Sequence, residues 1–171
     1  MLGINLMFAG LALTLNGASY FVNFDNKVRA IANILIGIVI GINAIFQVAQ
    51  ADCNVTFGFS AIMWMFSLNY FIIAAHIFFK SENWKVFGLY ALFAAIVSFV
   101  FAGDAVFALQ HGAPRVMVYL WFMWAILWAQ SFLALLFEIK IIDKFSPHIL
   151  ILNGIASTFV PGILILLGVI L

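Results

Sequence analysis

The sequence predicts an all-α integral membrane bundle of six spanning helices, and three observations carry that expectation. Hydrophobic residues make up 67% of the 171 residues and charged residues only 8%, against about a quarter charged in a soluble domain. So few charges cannot cover a water-facing surface. The mean hydropathy of +1.24 agrees. The apolar residues also gather into segments of about 20, the length a helix needs to cross the hydrocarbon of a bilayer. Period-two alternation, the mark of a membrane barrel, is missing.

The chain reads as one membrane domain, residues 1–171, with spans at 3–22, 28–50, 56–79, 84–103, 115–137 and 148–170. The first is read as a retained span. A cleaved leader carries positive charge before its apolar core, whereas here Lys27 and Arg29 follow it. The second holds Gly37 and Gly41 in a G-x-x-x-G spacing, with Asn33 one turn earlier, and small residues at that spacing let two backbones approach closely. The third is almost wholly apolar around Asn69, and the fourth carries no charge between Lys85 and Asp104. The fifth contains Trp121, Trp124 and Trp128, at i, i+3 and i+7 on one helical face. Tryptophan suits the headgroup level, but Trp124 and Trp128 fall near mid-span, where flat rigid rings form a slot for something flat. The sixth is interrupted at Phe159-Val160-Pro161-Gly162, either as a kink or as a locally opened, pore-lining helix. The breaks at 23–27, 51–54 and 80–83 are short and polar; those at 104–114 and 138–147 are longer.

Charge sets the orientation. Lys27 and Arg29 flank the first loop, Lys80 and Lys85 the third, and Lys140 and Lys144 the fifth; the second loop has no cation and the fourth only Arg115. The odd loops are therefore expected in the cytoplasm and both termini outside. The net charge of +1 gives no basis for a nucleic-acid or acidic partner. The lone cysteine, Cys53, allows no disulfide within the chain and no thiolate cluster.

Ionisable residues at depth mark proton relays, ion sites and retinal attachment, and every Lys, Arg, Asp and Glu here lies at or near a segment end. What lies at depth is neutral: Asn5 and Asn16 on one face of the first span, Asn43 and Gln47 in the second, Asn69 in the third, Gln130 and Ser131 in the fifth, and Asn153, Ser157 and Thr158 in the sixth. These groups either bond helix to helix or line a path for a neutral solute. His76 and His148, expected toward the cytoplasmic ends of their spans, are interfacial residues or, alternatively, the axial pair of a small b-type cytochrome. His111 shares the outer fourth loop with Asp104. No Ser–His pair, metal spacing or carboxylate dyad assembles at a common depth, so an enzyme is not expected, and no cofactor or metal is called for.

The residues Met1-Leu2-Gly3, Gly10, Asn16-Gly17, Trp121-x-x-Trp124-x-x-Leu127-Trp128, Phe132, Glu138, Lys144-Phe145-Ser146-Pro147, Gly154 and Val160-Pro161 together resemble the bacterial urea/amide channel family of the AmiS/UreI type. Weaker similarity runs through Ala74-Ala75 and Asn83-Trp84 to Ala95-Ile96, so most of the chain is covered. The resemblance implies a multi-pass protein of the bacterial cytoplasmic (inner) membrane, lying among lipids in a homo-oligomeric ring. That ring is hexameric in the best-known case, with one passive pore in each protomer. It implies that Trp124, Leu127 and Trp128 form narrow aromatic slots, that Trp121 supports them, and that Leu2 and Leu13 contribute from the first helix. The solute implied is urea or a short aliphatic amide, feeding a cytoplasmic urease or amidase. Ions are rejected because nothing in such a slot replaces their water.

The chain also departs from that pattern. Asn153, counted among the pore-lining candidates, stands where urea-conducting relatives carry an acidic residue. The aromatic run usual in the third span matches Asn69-Tyr70-Phe71-Ile72-Ile73 only loosely. Acid-gated relatives have histidine-rich outer loops; here the second loop has none and the fourth only His111, so a constitutively open pore is expected. The alternative readings are a facilitator for another small neutral solute, or a non-transporting cytochrome or structural subunit.

Overall fold

The computed structural model describes residues 1–50, 54–111 and 114–170, the side chains of 54–56 aside; Asp52 and Cys53 of the second break lie outside them. Among the described residues every secondary-structure element is a helix. The elements are α1 (Leu2–Ala18), α2 (Asn26–Ala49), α3 (Asn54–Phe79), α4 (Lys85–Leu109), α5 (Arg115–Leu136) and a sixth rod. The sixth rod joins α6 (Lys140–Leu152), a π-helical segment (Asn153–Phe159) and α7 (Val160–Leu166). Five of the six rods are long and apolar enough to cross a membrane; α1, at 17 residues, is shorter.

Two of the longer polar breaks are largely helical. α4 runs on past Gly103 through an exposed Asp104 to Leu109, and the sixth rod begins at Lys140 rather than His148. A helix can leave the hydrocarbon and continue in water, because its backbone bonds are satisfied internally. The opened turn in the sixth rod likewise starts at Asn153, eight residues before Pro161. Pro161 has no N–H to return to the turn below it, and the Val160 N–H reaches Ile155 O, one residue further back than an α-helix allows.

Helix ends are fixed locally. Asp25 caps α2, accepting from the N–H groups of Lys27 (2.8 Å) and Val28 (3.1 Å). α3 closes with Lys80 in the left-handed region (φ 51°). There the Ser81 N–H donates to His76 O at 3.0 Å and the Lys80 N–H to Ile77 O at 3.3 Å, a Schellman closure. Glu138, after α5, is left-handed as well (φ 55°). Its carboxylate meets Lys85 Nζ at 3.0 Å, joining the start of α4 to the end of α5.

α4 packs along α5 and α2 along α3, while α1 lies against the sixth rod, α2 and α3. The α2–α3 contact runs over the G-x-x-x-G spacing: the Ser67 hydroxyl donates to Gly37 O at 2.8 Å, and a Cβ on Gly41 would lie 2.9 Å from the Ser67 oxygen. Closer still is the seam between α1 and the sixth rod. A Cβ on Gly10 would lie 2.5 Å from Gly154 O and 2.7 Å from Phe159 N, and Gly3 and Gly17 make similar approaches to Gly162 and to Pro147. Glycines seven apart thus leave α1 a flat face, and the widened π turn lies on it. The outer surface is apolar, with Leu11, Leu35, Ile45, Phe93 and Val100 all exposed. The polar side chains Asn5, Asn33, Ser67, Asn69, Ser98, Asn153 and Ser157 are buried inside. This inside-out distribution fits hydrocarbon as the solvent.

Candidate functional site

The tryptophan stripe of α5 faces into the bundle. Trp121 is sandwiched between Phe59 of α3 (5.1 Å between centroids) and Phe101 of α4 (4.8 Å). Trp124 stands edge-on to Phe59, Phe66 and Trp121, at 6.3, 5.8 and 5.2 Å. Trp128 lies 5.3 Å from Phe66 and 6.1 Å from Tyr90. Phe59 and Phe66 are seven apart on α3, so one α3 face supplies the opposite wall. That periodicity was available in the sequence, but the α3 segment is so uniformly apolar that no stripe stands out against it.

Below Trp128 the packing opens into a cavity of about 880 Å³ at the end of the bundle where α1, α3 and α5 finish. At roughly 30 Å³ per water in the liquid, the space is far larger than a urea-sized molecule. So wide a space cannot discriminate between small molecules by size. Leu13, Asn69, Ile73, Leu127 and Trp128 are among the neutral residues that line it. Charged residues line it as well: Arg29, Lys85 and Lys140 against Glu82, Glu138 and Asp143, which sum to zero. Such a lining has no excess of one sign to concentrate either kind of ion.

Three hydrogen-bonded groups fix the walls. Asn16 and Asn33 exchange two amide bonds, 2.8 and 3.0 Å, between α1 and α2. Ser19 donates to Asn16 O at 2.7 Å and in turn accepts from the Arg29 guanidinium. Gln130 donates to the Ser131 hydroxyl and accepts from that of Ser146, both at 2.7 Å, fastening α6 to α5. At the rim, both ring nitrogens of His76 face backbone carbonyls, of Ile72 (3.0 Å) and Asn83 (3.1 Å), and the ring stacks on Trp84 at 4.2 Å. His148 lies against Phe21 and Phe145. Both nitrogens of His76 are thus already engaged by backbone carbonyls.

Against this order, several deeply buried polar atoms have no hydrogen-bond partner among the described residues: both amide atoms of Asn5, Asn69 Oδ1, and the indole nitrogens of Trp124 and Trp128. Leaving such groups unmade costs about 1–3 kcal/mol each. Trp124 (0% exposed), Trp128 (2%) and Asn69 (1%) belong to the wall or the cavity lining.

The structure brings Leu13, Leu127 and Trp128 together at the cavity and continues the wall through Trp124 to Trp121. Two other candidates stand apart from the cavity. Leu2 packs, half-buried, on the core. Asn153 is fully buried in the π segment, where its amide donates to Ile149 O (3.3 Å) and its Oδ1 accepts from Ser157 (3.0 Å).

Known proteins give the same outline. A family model described as the AmiS/UreI family transporter matches residues 1–169. The acid-activated urea channels of two Helicobacter pylori strains are each 25% identical over 190 residues, covering 95% of both chains. Among solved structures, the crystal structure of the urea channel from the human gastric pathogen Helicobacter pylori superposes with a TM-score of 0.81 at 23% identity. The cryo-EM structure of the Helicobacter pylori urea channel in its closed state superposes at 0.78 and 24%, and each pair is covered in full. At that identity the superpositions establish the fold.

Proposed function

The chain belongs to the AmiS/UreI transporter family, and on that footing we propose that it is a passive channel for urea or short aliphatic amides. The observation that carries this reading is the pairing of an aromatic wall with unpartnered polar atoms, set at the floor of a cavity with balanced charge. Indole and phenyl faces accommodate a flat solute, and the open N–H and C=O groups exchange hydrogen bonds with its edges as it passes. Trp124, Leu127 and Trp128 form the slot, Trp121 buttresses it, and Leu2, Leu13 and Asn153 act from the first and last rods. The slot side chains of Trp124, Leu127 and Trp128 carry no charge, so nothing there replaces an ion's water and ions stay out.

We place both termini outside the bacterial cytoplasmic membrane, on the charge of the odd loops. The cavity, which carries Arg29, Lys85 and Lys140, then opens to the cytoplasm. The exposed apolar surface meets lipid and neighbouring copies in a homo-oligomeric, hexameric ring. The pore is open without acid activation, and the solute it admits serves a cytoplasmic urease or amidase.

Stopped-flow light scattering on proteoliposomes at neutral pH tests the reading. Urea and acetamide should equilibrate faster than in protein-free liposomes, and Trp128→Ala should change both rates. A panel with formamide and glycerol separates an amide channel from a facilitator for other neutral solutes. Wild-type rates equal to those of empty liposomes would defeat the proposal.

A further inference from the structure

We propose that Asn69 is the residue that selects amide-bearing solutes. Its Oδ1 accepts an N–H of the solute at the floor of the cavity, while the Trp128 indole N–H donates to the solute's carbonyl oxygen. This rests on the channel reading above and extends it to the chemistry of selection.

Four features of the bundle support it. Asn69 is 1% exposed and lines the cavity, and its Oδ1 has no hydrogen-bond partner. Trp128, also on the lining, has an equally unpartnered Nε1. The two residues lie on facing helices: Phe66, one turn before Asn69 on α3, is 5.3 Å from Trp128 on α5. Around them Leu13, Ile73 and Leu127 offer no polar side-chain atom. The floor therefore holds one unpartnered acceptor and one unpartnered donor, both buried just beneath its surface, in an apolar frame.

Three other buried amides in the same bundle, Asn5 not among them, show what a structural role looks like. Asn16 and Asn33 satisfy each other, and Asn153 bonds to Ile149 and Ser157. The Asn69 oxygen has no such partner, and a buried acceptor is costly when unmade. The complementary molecule carries an N–H and a C=O on one carbon, in one plane: urea, formamide or acetamide. Such a solute meets both open groups at once with its faces on the rings.

The test compares wild type with Asn69→Leu, of similar size and without polar atoms, in proteoliposomes and in thermal unfolding. Urea and acetamide flux, each relative to water flux, should fall about tenfold, the effect of one hydrogen bond to the passing solute. The unfolding midpoint should hold or rise, because a buried unpaired carboxamide has been removed. A purely structural Asn69 predicts the reverse pair, a lower midpoint with unchanged flux ratios, and that result overturns the proposal. Should Asn69→Leu fail to fold, Asn69→Ser keeps an oxygen but draws it back, and its ratio should fall severalfold; a wild-type ratio there also overturns the proposal. Failure of the channel reading is distinguishable, since wild type itself would then conduct no faster than empty liposomes.

Discussion

Asn16 and Asn33 clasp each other through two amide hydrogen bonds, 2.8 and 3.0 Å long, across the α1–α2 contact. Asn16 also lines the cavity, so this clasp holds one of its walls. Asn33→Leu strands the buried amide of Asn16 and should lower stability by about 1–3 kcal/mol, read as a lower unfolding midpoint in detergent. Adding Asn16→Leu should recover part of the loss, which the double-mutant cycle measures.

Trp124 touches three other rings and is fully buried. Trp124→Ala should cost about 3–5 kcal/mol as a cavity substitution. The opening it leaves in the slot should also admit glycerol, read as a lower urea-to-glycerol flux ratio. A variant that loses stability but keeps the wild-type ratio would place the slot elsewhere.

The glycines separate cleanly by surroundings. Gly10→Ala would drive a Cβ to within 2.5 Å of Gly154 O and should destabilise by about 1–3 kcal/mol through overpacking. Gly103, on exposed α4, has nothing within 4 Å of the same position. Gly103→Ala should gain about 0.5–1 kcal/mol from helix propensity. Unfolding midpoints should move in opposite directions.

For pH, the expected outcome is a flat profile. The only histidine in the fourth loop is His111, which is exposed and lies against Phe107. Urea flux in proteoliposomes should vary less than twofold from pH 7.5 to 5. A steep rise on acidification would mean that a gate exists in this chain.

Much of this architecture is legible in sequence because hydropathy and period report directly on a helix in lipid: the spans, the Trp121–Trp124–Trp128 face and the close approach at Gly37 and Gly41. What escapes is whatever depends on a second helix. Asn5 and Asn16, eleven residues apart, fall on one face, and both are buried. Yet Asn16 is paired with Asn33, while Asn5 has no partner among the described residues, because pairing is decided on the neighbouring helix. Helix length beyond the bilayer escapes too: polar residues such as Asp104 and Lys140 read as loop but are compatible with helix in water. The π segment is foreshadowed by Pro161, though its start at Asn153 is set by packing on Gly10 and Thr14.

The seam between α1 and the sixth rod also bears on the order of assembly. α1 leaves the ribosome before the other five rods, and the rod that covers Gly3, Gly10 and Gly17 is made last. At about 5–20 residues per second, its bare face waits on the order of ten seconds for its partner, with only α2 and then α3 to lean on. Early insertion is thus provisional, and arrival of the final rod fastens the barrel-like bundle as a clasp closes a bracelet. A released chain truncated after Leu152 and held in detergent should therefore remain protease-sensitive in α1, while the full chain should not.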